Sequence, residues 1–387
     1  MVGNVQGKRR YMLSVAAGLT VEIADTFDAA FGSEDAPGIV TREEWSELLG
    51  SSVSNFVFMT WQWQSLWWAH FGTSEGCQLH LLAVRREGGA LVGIAPLFIA
   101  PEPLPPLKEY HQGETRPEGE GDPLRTVRLV GGIDIADYLD IIADPNTYAD
   151  VWSAVLDYLV SRQAEWDVID LHSLPGSSPS REIVADQAGR RGLECKLLAE
   201  DVCPVLNLPS DWNTYLMSLR KKDRHELRRK VRKLEGRDDS RWYLVSPLDV
   251  PALEKGMQIF IDLHRRSGED KAKFMDEQMA GFFRAMVHEL APTGWLDLAI
   301  LDIDGHPAAA YFSFNYNKRI YLYNSGYEPR WASYSAGIAL LAYRIHKAII
   351  QGIGIFDFLR GDEPYKYDFG AKDTYIYRAV LQPHKKA

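Results

Sequence analysis

The sequence is poor in cysteine. Cys77, Cys195 and Cys203 are spread over 387 positions, odd in number and with no CxxC pair. A disulfide framework is therefore not expected, nor a metal site, and free thiols in a reducing compartment are the natural state. Long apolar runs are also missing. None approaches the length of a membrane span, so no integral membrane segment is expected. Positive charge is in deficit: 43 Lys and Arg stand against 53 Asp and Glu, a net charge of −10. That balance argues against general nucleic-acid binding and against DNA as a partner. Lys8-Arg9-Arg10 followed by residues 12–19 faintly resembles a signal peptide. The run is short and broken by Ser14 and Gly18, so it reads as a cytoplasmic tail or a first strand.

What is present is ample core material. Hydrophobic residues make up 46% of the chain and include 11 Trp, enough for two domains of ordinary size. The richest stretch is 320–371. Residues 320–325 are β-branched and aromatic, as a strand requires. A turn-rich loop with Pro329 follows, and Ser335 stands where a helix N-cap belongs. Ile338, Leu341, Ala342, Ile345, Ala348 and Ile349 then recur at helical spacing. Arg344, His346 and Lys347 fall in the later turns, suited to the negative end of the helix dipole. Gly352 and Gly354 close the helix, and 355–359 is a second strand. Strand, loop, helix and strand make a βαβ unit with a parallel pair. Ser335, Ala336 and Gly337 are small and uncharged, so their backbone N–H groups suit an anion such as a phosphate; an ordinary capped helix has the same look. The second strand runs into Arg360-Gly361-Asp362-Glu363-Pro364-Tyr365-Lys366-Tyr367-Asp368. This mixture of cations, carboxylates and phenols sits where α/β proteins collect functional groups, although a solvated turn with local ion pairs would use the same residues.

Earlier segments supply the frame. Residues 1–40 read as weakly structured, with Thr41 or Ser54 opening short helices. Residues 60–71, holding four tryptophans, read as a buried aromatic helix ended by Gly72. Residues 79–84 and 91–98 flank Glu87-Gly88-Gly89 as a hairpin. Residues 101–122, rich in Pro, Glu and Gly, read as a mobile insertion or lid. Residues 138–142, 148–162 and 167–171 repeat the strand–helix–strand order of 320–359, with Asp170-Leu171 parallel to Asp357-Phe358. This copy has no glycine at the helix entrance and lacks the subsequent Gly-Asp-Glu-Pro-Tyr-Lys. Two related domains are inferred, 1–200 and 201–387, with the chemistry kept in the second. After a helix at 180–191 and a strand near 204–208, residues 212–235 read as one long helix. From Arg220 to Lys233, nine Lys and Arg face only Asp223 and Glu226, a local charge of +7. Phosphates suit such a face, as does a solvated helix paired with acidic neighbours. A strand at 242–245, helices at 251–265 and 275–290, a hairpin about Asp304-Gly305 and a returning strand at 375–381 complete the chain.

The segment YNSGYEPRWASYSAGIALLAYRI…GIFDFLRGDEPYKYDFG resembles the GNAT-like acetyltransferases labelled CelD-like, a cellulose-biosynthesis type. These are related to the Fem-type peptidoglycan aminoacyltransferases, which carry two GNAT-like domains in tandem. With the basic helix near Arg220 and the aromatic stretch near Trp61, the resemblance covers the chain from about Trp45 onward. It implies a mixed α/β fold of two tandem GNAT-like domains, each a mixed, largely antiparallel sheet flanked by helices. The usual pyrophosphate signature of those enzymes is replaced here by Tyr334-Ser335-Ala336-Gly337. The implied activity is transfer of an acetyl or other acyl group from acetyl-CoA or another acyl-CoA to an amine or hydroxyl, with a small molecule or a cell-envelope or polysaccharide precursor as acceptor. Backbone N–H groups of Tyr323, Asn324 and Ser325 would polarise the thioester, and those of Ser335, Ala336, Gly337 and Ile338 would hold the pyrophosphate. Lys366 would stabilise the oxyanion. Asp357 or Glu363 would orient or deprotonate the acceptor, and Tyr365 or Tyr367 would protonate the thiolate. Arg360 and Tyr367 would contact substrate. The alternatives are an aminoacyl-tRNA-dependent peptidoglycan-type transferase, with tRNA as partner, and a non-catalytic binding protein on the same fold.

Overall fold

The computed structural model describes residues 11–15, 18–33, 36–102 and 122–384. Most of the glycine- and proline-rich stretch expected as a lid therefore lies outside the described residues. The chain forms two compact units, Met1–Asp201 with Tyr375–Ala387, and Val202–Thr374.

The first unit opens with β1 (Tyr11–Val15) and β2 (Leu19–Ala24), then α1 (Phe27–Phe31) and the two-residue strands β3 (Gly32–Ser33) and β4 (Ala36–Pro37). The expectation of weak structure over 1–40 needs correcting where the residues are described: β1 pairs with β2 from Tyr11↔Ile23 to Val15↔Leu19, and Val21 and Ile23 enter the core, while residues 1–10 lie outside the described residues. Next come α2 (Arg42–Ser51), α3 (Trp61–Phe71), β5 (Gln78–Arg86), β6 (Leu91–Glu102), β7 (Leu124–Leu129), β8 (Ile142–Ala143), α4 (Tyr148–Ser161), β9 (Val168–Pro175), α5 (Ser180–Gly189) and β10 (Leu193–Asn207). Thr41 opens α2 through a capping box with Glu44. Ser54 opens no helix; its hydroxyl is spent on Asp140, and Thr60 caps α3 instead. The strand expected over 138–142 shrinks to β8. Asp140 turns inward there, taking hydrogen bonds from Ser54 at 3.0 Å, Ser180 at 2.5 Å, Ser178 and the Ile141 N–H.

The second unit contains α6 (Trp212–Ser218), α7 (Lys221–Glu235), β11 (Ser240–Val245), α8 (Val250–Arg266), α9 (Glu269–Phe274), α10 (Glu277–Leu290), β12 (Leu296–Ile303), β13 (His306–Tyr316), β14 (Arg319–Tyr327), a 3-10 turn at Pro329–Tyr334, α11 (Ala336–Ile350), β15 (Ile355–Asp357) and α12 (Pro364–Asp368), and it leads into β16 (Lys372–Pro383). The single helix expected over 212–235 is broken at Leu219, which is extended and buried. Arg224 helps end α6 by donating to the carbonyls of Leu216 and Leu219. Arg344 does not serve the helix dipole. It is fully buried and forks onto Asp297 at 2.7 and 2.6 Å, tying α11 to β12.

Both units are mixed, largely antiparallel sheets flanked by helices. In the first, the order is β1-β2-β5-β6-β7-β9-β16; in the second it is β10-β15-β14-β13-β12-β11. The β7–β9 and β14–β15 pairs are parallel, and every other neighbour within these two orders is antiparallel. The helix and second strand of the repeat stand where expected, as α4 and β9, but the strand that pairs in parallel with β9 is β7, not β8. Tyr375–Ala387, expected with the second domain, groups with the first unit, because β16 pairs there with β9 from Ile376↔Pro175 to Leu381↔Ile169.

Candidate active site

Two tight hairpins build the floor of the site. Asp304-Gly305 turns β12 into β13 and Asn317-Lys318 turns β13 into β14, with positive φ at all four residues. The β13–β14 register then slips. Phe312 faces Asn324 and Ser313 faces Leu322, so Tyr323 is left over as a bulge. A bulge bends its strand and re-aims the residues after it, often beside a site. The Tyr323 ring packs on Phe314 at 5.3 Å and Phe283 at 5.6 Å.

β15 runs beside β14 for only three pairs, ending at Tyr321↔Asp357. β14 continues to Tyr327 with β13 alone, so the parallel pair opens into a gap. The reason is local: Asp357 takes the Leu359 N–H at 2.9 Å, and Leu359 sits at φ +57. The strand expected over 355–359 therefore stops at Asp357.

Helix α11 begins just beyond the end of β14. Ser335 holds the N-cap position in a left-handed conformation, φ 53 and ψ 43, without the expected side-chain cap. The first in-helix bond is Ala339 N–H to the Ser335 carbonyl, so the N–H groups of Ala336, Gly337 and Ile338 precede the ladder. Ala336 is buried, while Ser335, Gly337 and Ile338 are half-buried. The end of the basic helix reaches this point. Lys233 donates to the Ser333 carbonyl at 2.7 Å and Arg237 to the Tyr334 hydroxyl at 2.7 Å, both lying over the Tyr334 ring. Two features that the sequence held far apart thus meet at one helix start.

Tyr311 joins this mouth to the loop after β15. Its hydroxyl lies 3.7 Å from where a Cβ on Gly337 would sit. It also influences Tyr365, whose phenol is pushed well above its ordinary value by burial first, then by Tyr311 and Glu363. Tyr365 keeps its proton at neutral pH, as a hydrogen-bond donor must. Lys366 lies beneath this loop, 2% exposed. Its ammonium donates to the carbonyls of Arg360 and Gly361 at 2.8 Å and Leu359 at 3.3 Å, and pairs with Glu363 at 2.8 Å. In this state it holds the turn through Leu359 and Gly361. Asp357 is fully buried and pairs with Arg319 at 3.1 Å. Glu363 is exposed, Arg360 and Tyr367 are half-buried, and Tyr367 donates to Asp373 at 2.7 Å.

A second cluster was missed by sequence reasoning. His264 and Lys271, from the end of α8 and from α9, both meet Ser325 just past the bulge. His264 Nδ1 is 2.9 Å from the Ser325 carbonyl; Lys271 Nζ is 2.8 Å from that carbonyl and 3.3 Å from the Ser325 hydroxyl. Gly326 allows this approach, since a Cβ there would lie 2.4 Å from the His264 backbone nitrogen. Burial first, and Lys271 second, pull the imidazole down to about 4. His264 is therefore neutral at pH 7. The Ser325 carbonyl claims the Nδ1 proton, leaving an Nε2 lone pair with no partner among the described residues. Burial likewise lowers Lys271, opposed by the charge of Glu363. In the sequence nothing within the helix expected at 251–265 sets His264 apart, so only the tertiary contact with Ser325 marks it.

Residues 221–367, which contain all of these groups, match the family described as acetyltransferase (GNAT) domain. This segment is similar to GNAT-type domains. No curated protein matches the chain. Among solved structures, FemX is similar at 11% identity with a TM-score of 0.59, covering 88% of this chain and 96% of FemX. A conserved protein of unknown function from Bacteroides thetaiotaomicron VPI-5482 is similar at 10% identity and a TM-score of 0.52, covering 89% of this chain and 98% of that one. L-PGS from Bacillus licheniformis is similar at 10% identity and a TM-score of 0.51, over 89% and 92%. At such identities the likeness shows the fold: two GNAT-like units in tandem, of which the second carries the matched domain. Among the described residues, no helix is long and apolar enough to cross a membrane, and no group of His, Cys, Asp and Glu could hold a metal ion.

Proposed function

We propose that the second unit is an acyltransferase moving an acetyl or other acyl group from an acyl-CoA to an amine or hydroxyl acceptor. One observation carries this reading. β14 and β15 part at Tyr321 and Asp357, and α11 begins a short turn later with its first N–H groups outside its own ladder. The residues fit the donor. The N–H groups of Ala336, Gly337 and Ile338, with Ser335, face the pyrophosphate, and Lys233 and Arg237 supply positive charge beside them. The strand edge after the bulge, Tyr323 to Ser325, offers N–H groups to the thioester carbonyl.

In the reaction the acceptor nitrogen or oxygen forms a bond to the acyl carbon, the carbon–sulfur bond breaks, and the acceptor's proton leaves. The thiolate takes up a proton, with Tyr365 or Tyr367 as donor. Glu363 orients or deprotonates the acceptor, and Arg360 and Tyr367 contact it at the mouth. His264 Nε2 is an additional acceptor for the incoming N–H or O–H. Asp357 and Lys366 act as positioning residues, one beneath the strand end and one holding the turn of 359–361. A folded Lys366→Ala variant with full transfer rate would remove the lysine from the mechanism altogether. A cell-envelope or polysaccharide precursor in the cytoplasm suits the acceptor role.

Calorimetry with acetyl-CoA tests the reading, and absence of binding at millimolar ligand would sink it. A second reading uses aminoacyl-tRNA as donor. It is favoured by the outer face of α7, where Lys222, His225, Arg228, Arg229 and Arg232 line a concavity together with the carboxylate of Glu226. Titrating charged tRNA against salt separates the two, since phosphate contacts give a steep salt dependence. A third reading, binding without turnover, is favoured by the full engagement of the Lys366 ammonium.

A further inference from the structure

The first unit has a cavity of about 370 Å³ between α3, the β6–β7 pair and residues 132–135. Its apolar wall is aromatic. Trp67 lies 5.7 Å from Phe71 and 5.6 Å from Phe98, ring centre to ring centre. Gly132, at φ +74, closes against the Trp67 ring; a Cβ there would come within 3.0 Å of it. The polar wall is made by Arg128 and the carboxylates of Glu75, Glu102 and Asp134.

Two of the residues that line this cavity carry a buried donor with no partner among the described residues: the indole N–H of Trp67 and the Nε–H of Arg128. Their side chains are deeply buried, with Trp67 5% and Arg128 8% exposed. The terminal nitrogens of Arg128 are occupied, one by Glu102 and the other 3.8 Å from Asp170. A buried donor left unmet costs roughly 1–3 kcal/mol, and native proteins carry few of them. Two among the residues lining one cavity call for an occupant that brings a hydrogen-bond acceptor. The charge of the wall asks for something more. Three carboxylates against one guanidinium make it net negative, and the faces of Trp67, Phe71 and Phe98 attract cations as well.

We propose that this cavity binds a small zwitterion, a free amino acid or a close relative, with its carboxylate on the Trp67 and Arg128 donors and its ammonium toward Glu75, Asp134 and the rings. The volume falls in the ordinary range for small-molecule sites. The proposal does not rest on acyl transfer, because the cavity lies wholly in the first unit.

The test is calorimetry of the full chain with L-phenylalanine, L-leucine and L-lysine, each also as its N-acetyl and its carboxamide form. The expected result is millimolar or tighter binding of at least one free amino acid, with each blocked form at least about tenfold weaker, equivalent to about 1.4 kcal/mol. Trp67→Phe keeps a smaller aromatic face and loses the N–H; it should weaken binding about fivefold to tenfold. Glu75→Gln, at an exposed position, should weaken it about threefold. No heat from any free amino acid at about 10 mM overturns the proposal. So does equal binding of free and blocked forms, or retained binding unchanged by both substitutions.

Discussion

The two units share one plan and use it differently. Each has an antiparallel meander, a helix, a strand returning parallel to the end of the meander, and a closing antiparallel strand. Asp170 on β9 and Asp357 on β15 stand at similar places in that plan: Asp357 faces Tyr321 in the last pair of its parallel ladder, and Asp170 follows Ile169, the last paired residue of the other. In the first unit the place is packed with charge. Asp170 binds Arg378 at 2.7 and 3.0 Å and His172 at 2.9 Å, and His172 reaches Glu200 at 2.9 Å on its other nitrogen. The first residue of the helix, Tyr148, is joined through Ser54 to the buried carboxylate of Asp140. In the second unit Asp357 meets Arg319 and the Leu359 N–H, and the helix start is flanked by Lys233 and Arg237. A helix start beside a buried carboxylate repels phosphate; one beside two cations attracts it. The difference lies in what the units place around a common frame.

The largest effect should come from breaking the packed side. Asp170→Ala removes the buried carboxylate that Arg378 and His172 share and should cost about 3–5 kcal/mol in denaturant unfolding. Asp357→Ala releases Arg319, whose side chain already reaches water, and should cost about 1–3 kcal/mol. Equal losses would erase the contrast. At the open side, Gly337→Glu puts a carboxylate at the helix start and should weaken acetyl-CoA binding at least about thirtyfold, roughly 2 kcal/mol, by calorimetry. Thr147→Glu, at the start of the first unit's helix, should leave that affinity unchanged.

Two buried histidines, one in each unit, sharpen the contrast through pH. Burial opposes charge on His172, but the carboxylates of Asp170 and Glu200 outweigh it and raise the imidazole above 6.5. Its contribution is therefore full below pH 6.5 and is lost as pH rises through the raised value. His264 is lowered from 6.5 to about 4, so its contribution is full above pH 6.5 and is lost as pH falls through 4. Urea unfolding across pH 4–9 should show His172→Gln flattening the alkaline limb and His264→Asn the acid limb, the second by on the order of 2 kcal/mol. Loss of the same limb in both variants would contradict the assignment. The smallest effect belongs to Lys233→Ala and Arg237→Ala. Each should weaken acetyl-CoA by about 0.5–1 kcal/mol, and less at high salt.

Much of this frame was legible in the chain itself. Period-two and helical spacing marked β5, β6, β12, β13, β14 and α11, and Asp304-Gly305 announced its hairpin. The parallel pair followed from strand, helix and strand in sequence. The features that escaped were decided by contacts between distant residues. Arg344 looked like a helix-end cation because nothing in its neighbourhood names Asp297 as its partner. Ser54 looked like a cap because Asp140 lies 86 positions away. The bulge at Tyr323 and the contacts of His264 and Lys271 with Ser325 depend on a register slip that no local pattern encodes. For the same reason Lys366 could be placed in the right loop without its carbonyl partners being foreseen.

The closing strand of the first sheet, β16, reaches it only after the whole of 202–374 has passed. On the ribosome the early half must therefore wait, β9 paired with β7 on one side only and Asp170 without Arg378, while the later half is synthesised. The second unit receives its own edge segment, Val205–Asn207, before the strand it will join has been made. The later half thus has its sheet segments in hand first, whereas the earlier one keeps an open sheet edge until β16 arrives. Clipping the chain just after residue 374 should harm the half that was made first.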